Sequence, residues 1–319
     1  MIKRISFLAA CVLCFVALSP SQAQERPAAA PAAPPDLTLD APARAQLIEA
    51  VIREMKDYYV FPEAAQQVEK ILRERMKEYE KLTSAKELAK TLTTDLREVT
   101  HDKHVSVNYS AEPRPVQQEQ AEPTERERQG IRNYGDAINY GFEKIERLPG
   151  NIGYIRLNLF FPPEYGGETA VAAMKVVNST EALIIDLRGN DGGHPGMIQL
   201  VASYFFGAEP VQLSGIFHRR TNSTQQYWTL PYVPGAKYLK KEVYILTSRR
   251  TFSGGEAFAY DLKNLKRATL VGETTEGAAN PRDVRRLSDH FWMGIPNARA
   301  VSPITNTNWE GVGVKPDVE

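Results

Sequence analysis

A serine followed by two glycines, at the junction of an apolar run and a helical pattern, is the first chemical candidate in this chain. Thr251-Phe252-Ser253-Gly254-Gly255-Glu256 follows the strand-like Val243-Tyr244-Ile245-Leu246-Thr247 and opens the helical run Ala257-Phe258-Ala259-Tyr260-Asp261-Leu262. A strand-to-helix turn leaves backbone N–H groups unpaired and sets the positive end of the helix dipole beside the serine. That setting favours an alkoxide on Ser253, and the Gly254 N–H would point at an oxyanion beside it. Ser253 and Glu256 also spell the S-x-x-E capping box that inert helices use, so the segment alone admits either role.

A second candidate is the glycine-rich turn after Leu183-Ile184-Ile185-Asp186-Leu187, which reads Arg188-Gly189-Asn190-Asp191-Gly192-Gly193. Glycines let backbone N–H groups approach a ligand closely, as an oxyanion hole or a phosphate cradle requires. The turn lacks G-x-G-x-x-G and a Walker lysine, which argues against a nucleotide, and a plain strand-to-helix turn stays open. Among five histidines, His194 adjoins this turn at a helix start, while His218 and His290 have no neighbouring ligand set. His101 and His104 lie three apart without carboxylates at metal-ligand spacing, so we expect no metal site. His104 opens the alternating His104-Val105-Ser106-Val107-Asn108-Tyr109 and could serve as a base, although a lone histidine is more often structural than catalytic.

The elements that must hold these residues are legible in outline. Leu47, Ile48, Val51, Ile52 and Met55 recur at helical spacing, as do Val68, Leu72 and Met76, and then Leu88, Leu92 and Leu96 behind a Ser84/Glu87 capping box. Pro62 suits the first turn of the second helix. Residues 39–100 therefore read as a small helical domain, and residues 101–140 as a strand plus a polar loop, with 111–134 exposed. From 141 to 319 strands alternate with helices: strands at 152–159, 182–187, 241–247, 268–272 and 289–295, helices at 169–177, 195–206 and 254–265. That alternation predicts an α/β layered core with a mostly parallel sheet.

Composition narrows the function classes. The 319 residues carry 39 basic and 39 acidic side chains, 42% hydrophobic and 24% charged residues, with no basic stripe, which argues against nucleic acid. Lys3-Arg4, the apolar Phe7 to Leu18 and Ser21-Gln22-Ala23 predict a signal peptide over 1–23, too short for a membrane span. Leu8-Ala9-Ala10-Cys11 looks like a lipoprotein box, but the apolar run continues past it. Cleavage after Ala23 removes Cys11 and Cys14, leaving no disulfide and no thiolate ligand. An alanine- and proline-rich tether follows over 24–38, and the expected location is the periplasm or the exterior of a bacterial envelope, without stable membrane insertion.

Taken in order, Tyr59-Val60-Phe61-Pro62-Glu63, Asp102-Lys103-His104, the Asp186–Gly193 turn, Thr251–Glu256, Val271-Gly272-Glu273-Thr274-Thr275-Glu276-Gly277 and Asn308-Trp309-Glu310-Gly311-Val312-Gly313-Val314-Lys315-Pro316-Asp317 resemble the C-terminal processing (tail-specific) serine peptidases. The resemblance spans about residues 40–319 and is nearest the branch of the tricorn core and the interphotoreceptor retinoid-binding protein. It implies a crotonase-type (ClpP/crotonase) spiral for the core, with no cofactor. The processing branch pairs its serine with a lysine about 25 residues on, where this chain has Gly277-Ala278-Ala279. The tricorn-like branch uses a histidine and a glutamate, which match His104 and Glu310. That branch has a relay serine beside its histidine; Lys103 stands there here, and Ser106 is the substitute on offer. Residues 111–134 are too few for the peptide-binding PDZ domain of the tail proteases.

These readings converge on acyl transfer with Ser253 as nucleophile, His104 as base, Glu310 as orienting carboxylate, and an oxyanion site built from the N–H groups of Gly254 and of Gly192 or Gly193. The expected partner is a peptide or protein substrate, with self-association into a homo-oligomer left open. The alternative is a non-catalytic binder of lipid or retinoid-like ligands on the same fold.

Overall fold

Short sequence signals start the elements before packing completes them. In the computed structural model, which describes residues 35–113 and 122–319, Asp40 caps α1 (Ala41–Tyr58) by accepting from Ala43 N at 2.8 Å. Pro62 starts α2 (Pro62–Glu74), the short α3 (Met76–Tyr79) follows, and Ser84 caps α4 (Ala85–Thr100) by accepting from Glu87 N at 2.9 Å. The expected helical periodicity is met: Leu47, Ile48, Val51, Met55, Val68, Leu72, Leu88, Leu92 and Leu96 share one buried cluster. The signal-peptide and most of the tether reading fall on residues 1–34, outside the described residues.

After α4 the chain turns into β1 (Ser106–Tyr109), then α5 (Glu125–Ala137), β2 (Phe142–Leu148), β3 (Ile152–Leu157), α6 (Pro163–Val177), β4 (Ala182–Asp186) and α7 (Pro195–Ser203). β5 (Gly215–His218), β6 (Ser223–Gln225), β7 (Glu242–Thr247), α8 (Gly254–Asn264), β8 (Thr269–Gly272), β9 (Arg282–Arg286), β10 (Phe291–Pro296) and β11 (Ala298–Val301) complete it. The central sheet runs β2-β3-β4-β7-β8, with β2 antiparallel to β3 and every later pairing parallel. This is the α/β core expected from the alternation of strands and helices. Crossovers through helices permit the parallel pairing, and strands buried on both faces read as continuous apolar runs. Leu183, Ile185, Val243, Ile245 and Leu270 are buried there with Phe258 and Leu262 of α8.

Two smaller antiparallel sheets complete the strands, β1-β10-β9 and β11-β5-β6. The first joins the helical layer to the carboxyl-terminal half: Val105, Val107, Phe291, Met293 and Ile295 are buried in the same cluster as α1, α2 and α4. The helical segment therefore shares its core with strands nearly two hundred residues away, and Asp36–Glu319 forms one compact unit.

Two local expectations are corrected. The segment 111–134 is not wholly loop, because α5 begins at Glu125 behind a complete Thr124/Glu127 capping box. Its only buried residue is Gly135, so no apolar stripe announced it. His104 does not open a strand: β1 starts at Ser106, and His104 lies in the turn before it.

Candidate active site

The turn from β7 into α8 is pinned to the exit of β4. Ser248 Oγ donates to Arg188 O at 2.7 Å, Thr251 Oγ1 to Leu187 O at 2.8 Å, and Phe252 N to Asn190 O at 2.9 Å. Held this way, Ser253 adopts φ 49° and ψ −113°, a backbone state that costs a non-glycine residue about 1–3 kcal/mol. Strain of this order persists only where neighbours over-determine it, and here three glycines close in. Gly192 and Gly193 have φ of 101° and 129°. A Cβ on Gly192 would stand 2.8 Å from both Ser253 Cβ and Gly254 N, and one on Gly254 would stand 2.9 Å from Gly193 N. Only glycines allow the two turns to touch.

The proposed oxyanion donors divide. The Gly192 N–H already donates to Asn190 Oδ1 at 2.8 Å. The ladder to Phe160 uses Gly192 O and His194 N, leaving the Gly193 N–H out of it. Gly254 is the first residue of α8, where an N–H has no intrahelical acceptor. Asn190, fully buried, supports the whole turn, since its Nδ2 also donates to Leu157 O at 2.8 Å.

Glu256 settles what its half of the capping box is for. Its fully buried carboxylate accepts from Ser253 N at 2.9 Å, Thr275 Oγ1 at 2.6 Å, Gly277 N at 2.6 Å and Ala278 N at 2.9 Å. Burial nonetheless raises its pKa against these four donors. The capping glutamate thus ties the serine turn to the segment where a dyad lysine would stand. From that segment Ala279 N donates to Glu310 Oε2 at 2.5 Å, and Asn280 Nδ2 donates to Asp102 Oδ2 at 2.9 Å.

His104, Asp102 and Glu310 therefore meet, with donor atoms all within 4.8 Å of one another. His104 Nδ1 lies 3.8 Å from Asp102 Oδ1, which also accepts from the His104 backbone N–H at 3.0 Å. Asp102 Oδ2 accepts in addition from Tyr59 Oη at 3.3 Å. His104 Nδ1 and Glu310 Oε1 are buried without a hydrogen-bond partner among the described residues. Burial lowers the His104 pKa to about 4, reinforced by Arg282 and Arg97. Burial raises Glu310 to about 8, reinforced by Asp102 and Glu256, and raises Asp102 as well. At neutral pH the imidazole is the free base. The trio's donor atoms are also close enough for a cation, but both Asp102 oxygens are already occupied by protein donors.

The trio adjoins the serine turn through Phe252, whose ring centroid is 4.9 Å from that of His104 at a 50° tilt. Among the described residues, the hydrogen bonds do not include one between Ser253 Oγ and His104. Ser106 is not in the cluster; its Oγ accepts from Asn108 Nδ2 at 3.0 Å. Asp102 was missed as a site residue, although its D-x-H spacing was the available signal. The other four histidines have local places: His101 ends α4 in a left-handed conformation, His194 caps α7, His218 ends β5 opposite Ala298, and His290 Nδ1 bonds Ser110 O.

A cavity of about 150 Å³ lies beside Ser253, Gly193 and Gly254, walled by Ile198, Leu213, Ile216, Tyr227, Ala300 and Trp309. Among the described residues no helix is long and apolar enough to cross a membrane.

Known proteins agree with this frame. The chain is 26% identical over 194 residues to carboxyl-terminal-processing peptidase 2, chloroplastic, of Arabidopsis thaliana, covering 57% of this chain and 35% of that protein. It is 27% identical over 194 residues to a carboxyl-terminal-processing protease of Picosynechococcus, covering 57% and 42%. The chain thus matches well under half the length of these relatives. The fold resembles a candidate peptidase from Parabacteroides merdae (TM-score 0.59, 18% identity, 86% and 89% covered). It also resembles the tricorn protease (TM-score 0.56, 15% identity, 87% and 34% covered). Residues 17–133 match the N-terminal domain of peptidase S41 in eukaryotic IRBP. Residues 151–319, more than half of the chain, match peptidase family S41, and the chain belongs to that family.

Proposed function

We propose that this chain is an exported serine peptidase that cleaves peptide bonds through an acyl-enzyme formed on Ser253. The observation that carries the reading is the strained Ser253 at the start of α8, packed on Gly192 and Gly193 beside the trio of buried His104 and Asp102 and half-buried Glu310. Ser253 Oγ attacks the scissile carbonyl while His104 takes its proton through Nε2. The N–H groups of Gly254 and Gly193 hold the oxyanion, each donor contributing about 3 kcal/mol to the transition state. Collapse expels the amine, which receives the proton from His104, and water then releases the acyl group by the same route in reverse. Glu310 faces the imidazolium through its unpartnered Oε1, and Asp102 fills the relay place for which Ser106 was offered. The relatives' processing of protein carboxyl termini makes a protein tail the first substrate to try.

The test is intact-mass analysis after treatment with a fluorophosphonate. One adduct on the wild-type protein, absent from Ser253→Ala and strongly slowed in His104→Ala, is the expected result. The apolar walls of the cavity favour a second reading, a carrier of hydrophobic ligands. Folded wild-type protein that takes no label but binds a fluorescent fatty acid would overturn the peptidase reading in its favour.

A further inference from the structure

Among the described residues, one charged side chain lines the cavity beside Ser253, and the catalytic scheme does not use it. Asp261 lines the cavity from α8, two helical turns beyond the serine, among walls that are otherwise almost wholly apolar. It is 5% exposed. Its two hydrogen bonds come from one residue and fall on one oxygen: Ser214 N at 3.1 Å and Ser214 Oγ at 2.6 Å, both to Oδ1. Oδ2 accepts no hydrogen bond among the described residues, and no lysine or arginine there forms an ion pair with Asp261. Burial pushes its pKa up to about 7, with only the Ser214 donors opposing. A carboxylate in such a place is costly unless a cation or donor meets it. If Asp261 served only to brace Ser214, its second oxygen and its charge would have no use.

We infer that this cavity receives the side chain on the acyl side of the scissile bond, and that Asp261 at its polar end selects a residue with an apolar stem ending in an ammonium or guanidinium group. The proposal rests on the peptidase reading for its orientation, because Ser253, Gly193 and Gly254 line the same cavity. A lysine side chain matches both halves of the lining: its methylenes contact Ile198, Leu213, Ile216 and Trp309, and its ammonium meets Asp261 Oδ2. The ion pair forms out of water, where a charge-assisted hydrogen bond is strongest. A neutral stem of equal length would fill the same walls and leave the carboxylate desolvated and unpaired.

The experiment compares kcat/KM for two peptides that differ only at that position, lysine against norleucine, in the wild-type protein, Asp261→Asn and Ser214→Ala. The wild-type preference for lysine is expected to be about tenfold to 100-fold. Asp261→Asn, which keeps an oxygen for Ser214, should bring the ratio near or below one, whereas Ser214→Ala should leave lysine preferred. Norleucine favoured by the wild-type protein, or a lysine preference that survives in folded Asp261→Asn, overturns the inference. If neither peptide is cut, the peptidase reading fails separately, and calorimetric binding of n-butylammonium against 1-butanol still decides the pocket. Amine binding lost in Asp261→Asn sustains the cation site; equal binding of amine and alcohol overturns it.

Discussion

The serine turn and the histidine trio are built by opposite means. The turn is a local construction in which three glycines, a strained serine and the start of α8 are locked to the exit of β4 by one main-chain bond and two hydroxyl bonds to main-chain carbonyls. Its chemistry is fixed once the parallel sheet closes, because register between β4 and β7 brings the two turns together. The trio is a side-chain construction, drawn from a turn after α4 and a loop near the carboxyl terminus, and two of its polar atoms lack partners. The first is rigid, with the Gly193 and Gly254 N–H groups outside the ladder and the helix; the second is largely buried, under-bonded and biased by burial toward neutral side chains. The proposed acyl transfer draws on both, but damage to each should look different.

Ser253→Ala tests the rigid half with the largest effect. It should abolish labelling and lower any peptide turnover by about 10³-fold or more while leaving folding intact, since the backbone and not Oγ carries the turn's bonds. A melting temperature that falls sharply in this variant would show that the hydroxyl is structural. His104→Ala should come next, with a similar loss of labelling rate. Because the His104 pKa is held down to about 4, the acid limb of wild-type labelling should sit near pH 4 and not near the ordinary value of about 6.5.

Glu256→Ala probes the connection between the halves. It strands the Ser253, Gly277 and Ala278 N–H groups and the Thr275 hydroxyl in a buried site. At about 1–3 kcal/mol for each donor left unsatisfied, the protein should lose at least about 4 kcal/mol of stability in denaturant titrations. Labelling should slow in the fraction that stays folded, because Ala279 and Asn280 no longer present their donors to Glu310 and Asp102 in register. Unchanged stability would mean that the capping glutamate is dispensable and that the halves are coupled elsewhere.

The rigid half was the more legible one, for a physical reason. A turn between a buried strand and a helix writes itself locally, as an apolar run, glycines and a capping pair, so Ser253, Gly193 and Gly254 could be singled out. Even there the sequence left Gly192 and Gly193 equivalent, and only the Asn190 Oδ1 bond separates them. The trio depends on contacts between residues separated by more than two hundred positions, which no local pattern encodes; His104 was a candidate by its place alone, and only the family resemblance joined it to Glu310. Asp102 escaped because its side-chain donors are Tyr59 and Asn280, neither adjacent in sequence. α5 escaped for the opposite reason, being polar almost throughout and lacking the stripe that marks a packed helix. Asp261 was visible only as one more residue of an amphipathic run until the cavity gave it a neighbourhood.

Glu310→Gln offers the smallest effect and the finest separation of the two constructions. Glu310 has its folded pKa raised to about 8 from 4.5, so between those values the folded state holds a proton that the unfolded state has lost. Its contribution to stability is therefore fully present below about pH 4.5 and falls as pH rises through 8. The neutral amide cannot ionise, so Glu310→Gln should flatten that decline and melt about 2 °C or more above wild type at pH 8, with little difference at pH 5. His104 contributes with the opposite sign, since its depressed pKa makes the unfolded state the tighter proton binder between about 4 and 6.5; that slope should persist in the variant. Activity should move against stability, dropping at pH 8 because no carboxylate remains to face the imidazolium. A variant less stable than wild type at pH 8 would show that Glu310 is ionised in the resting protein, and the trio would then be a satisfied ion pair in place of an under-bonded one.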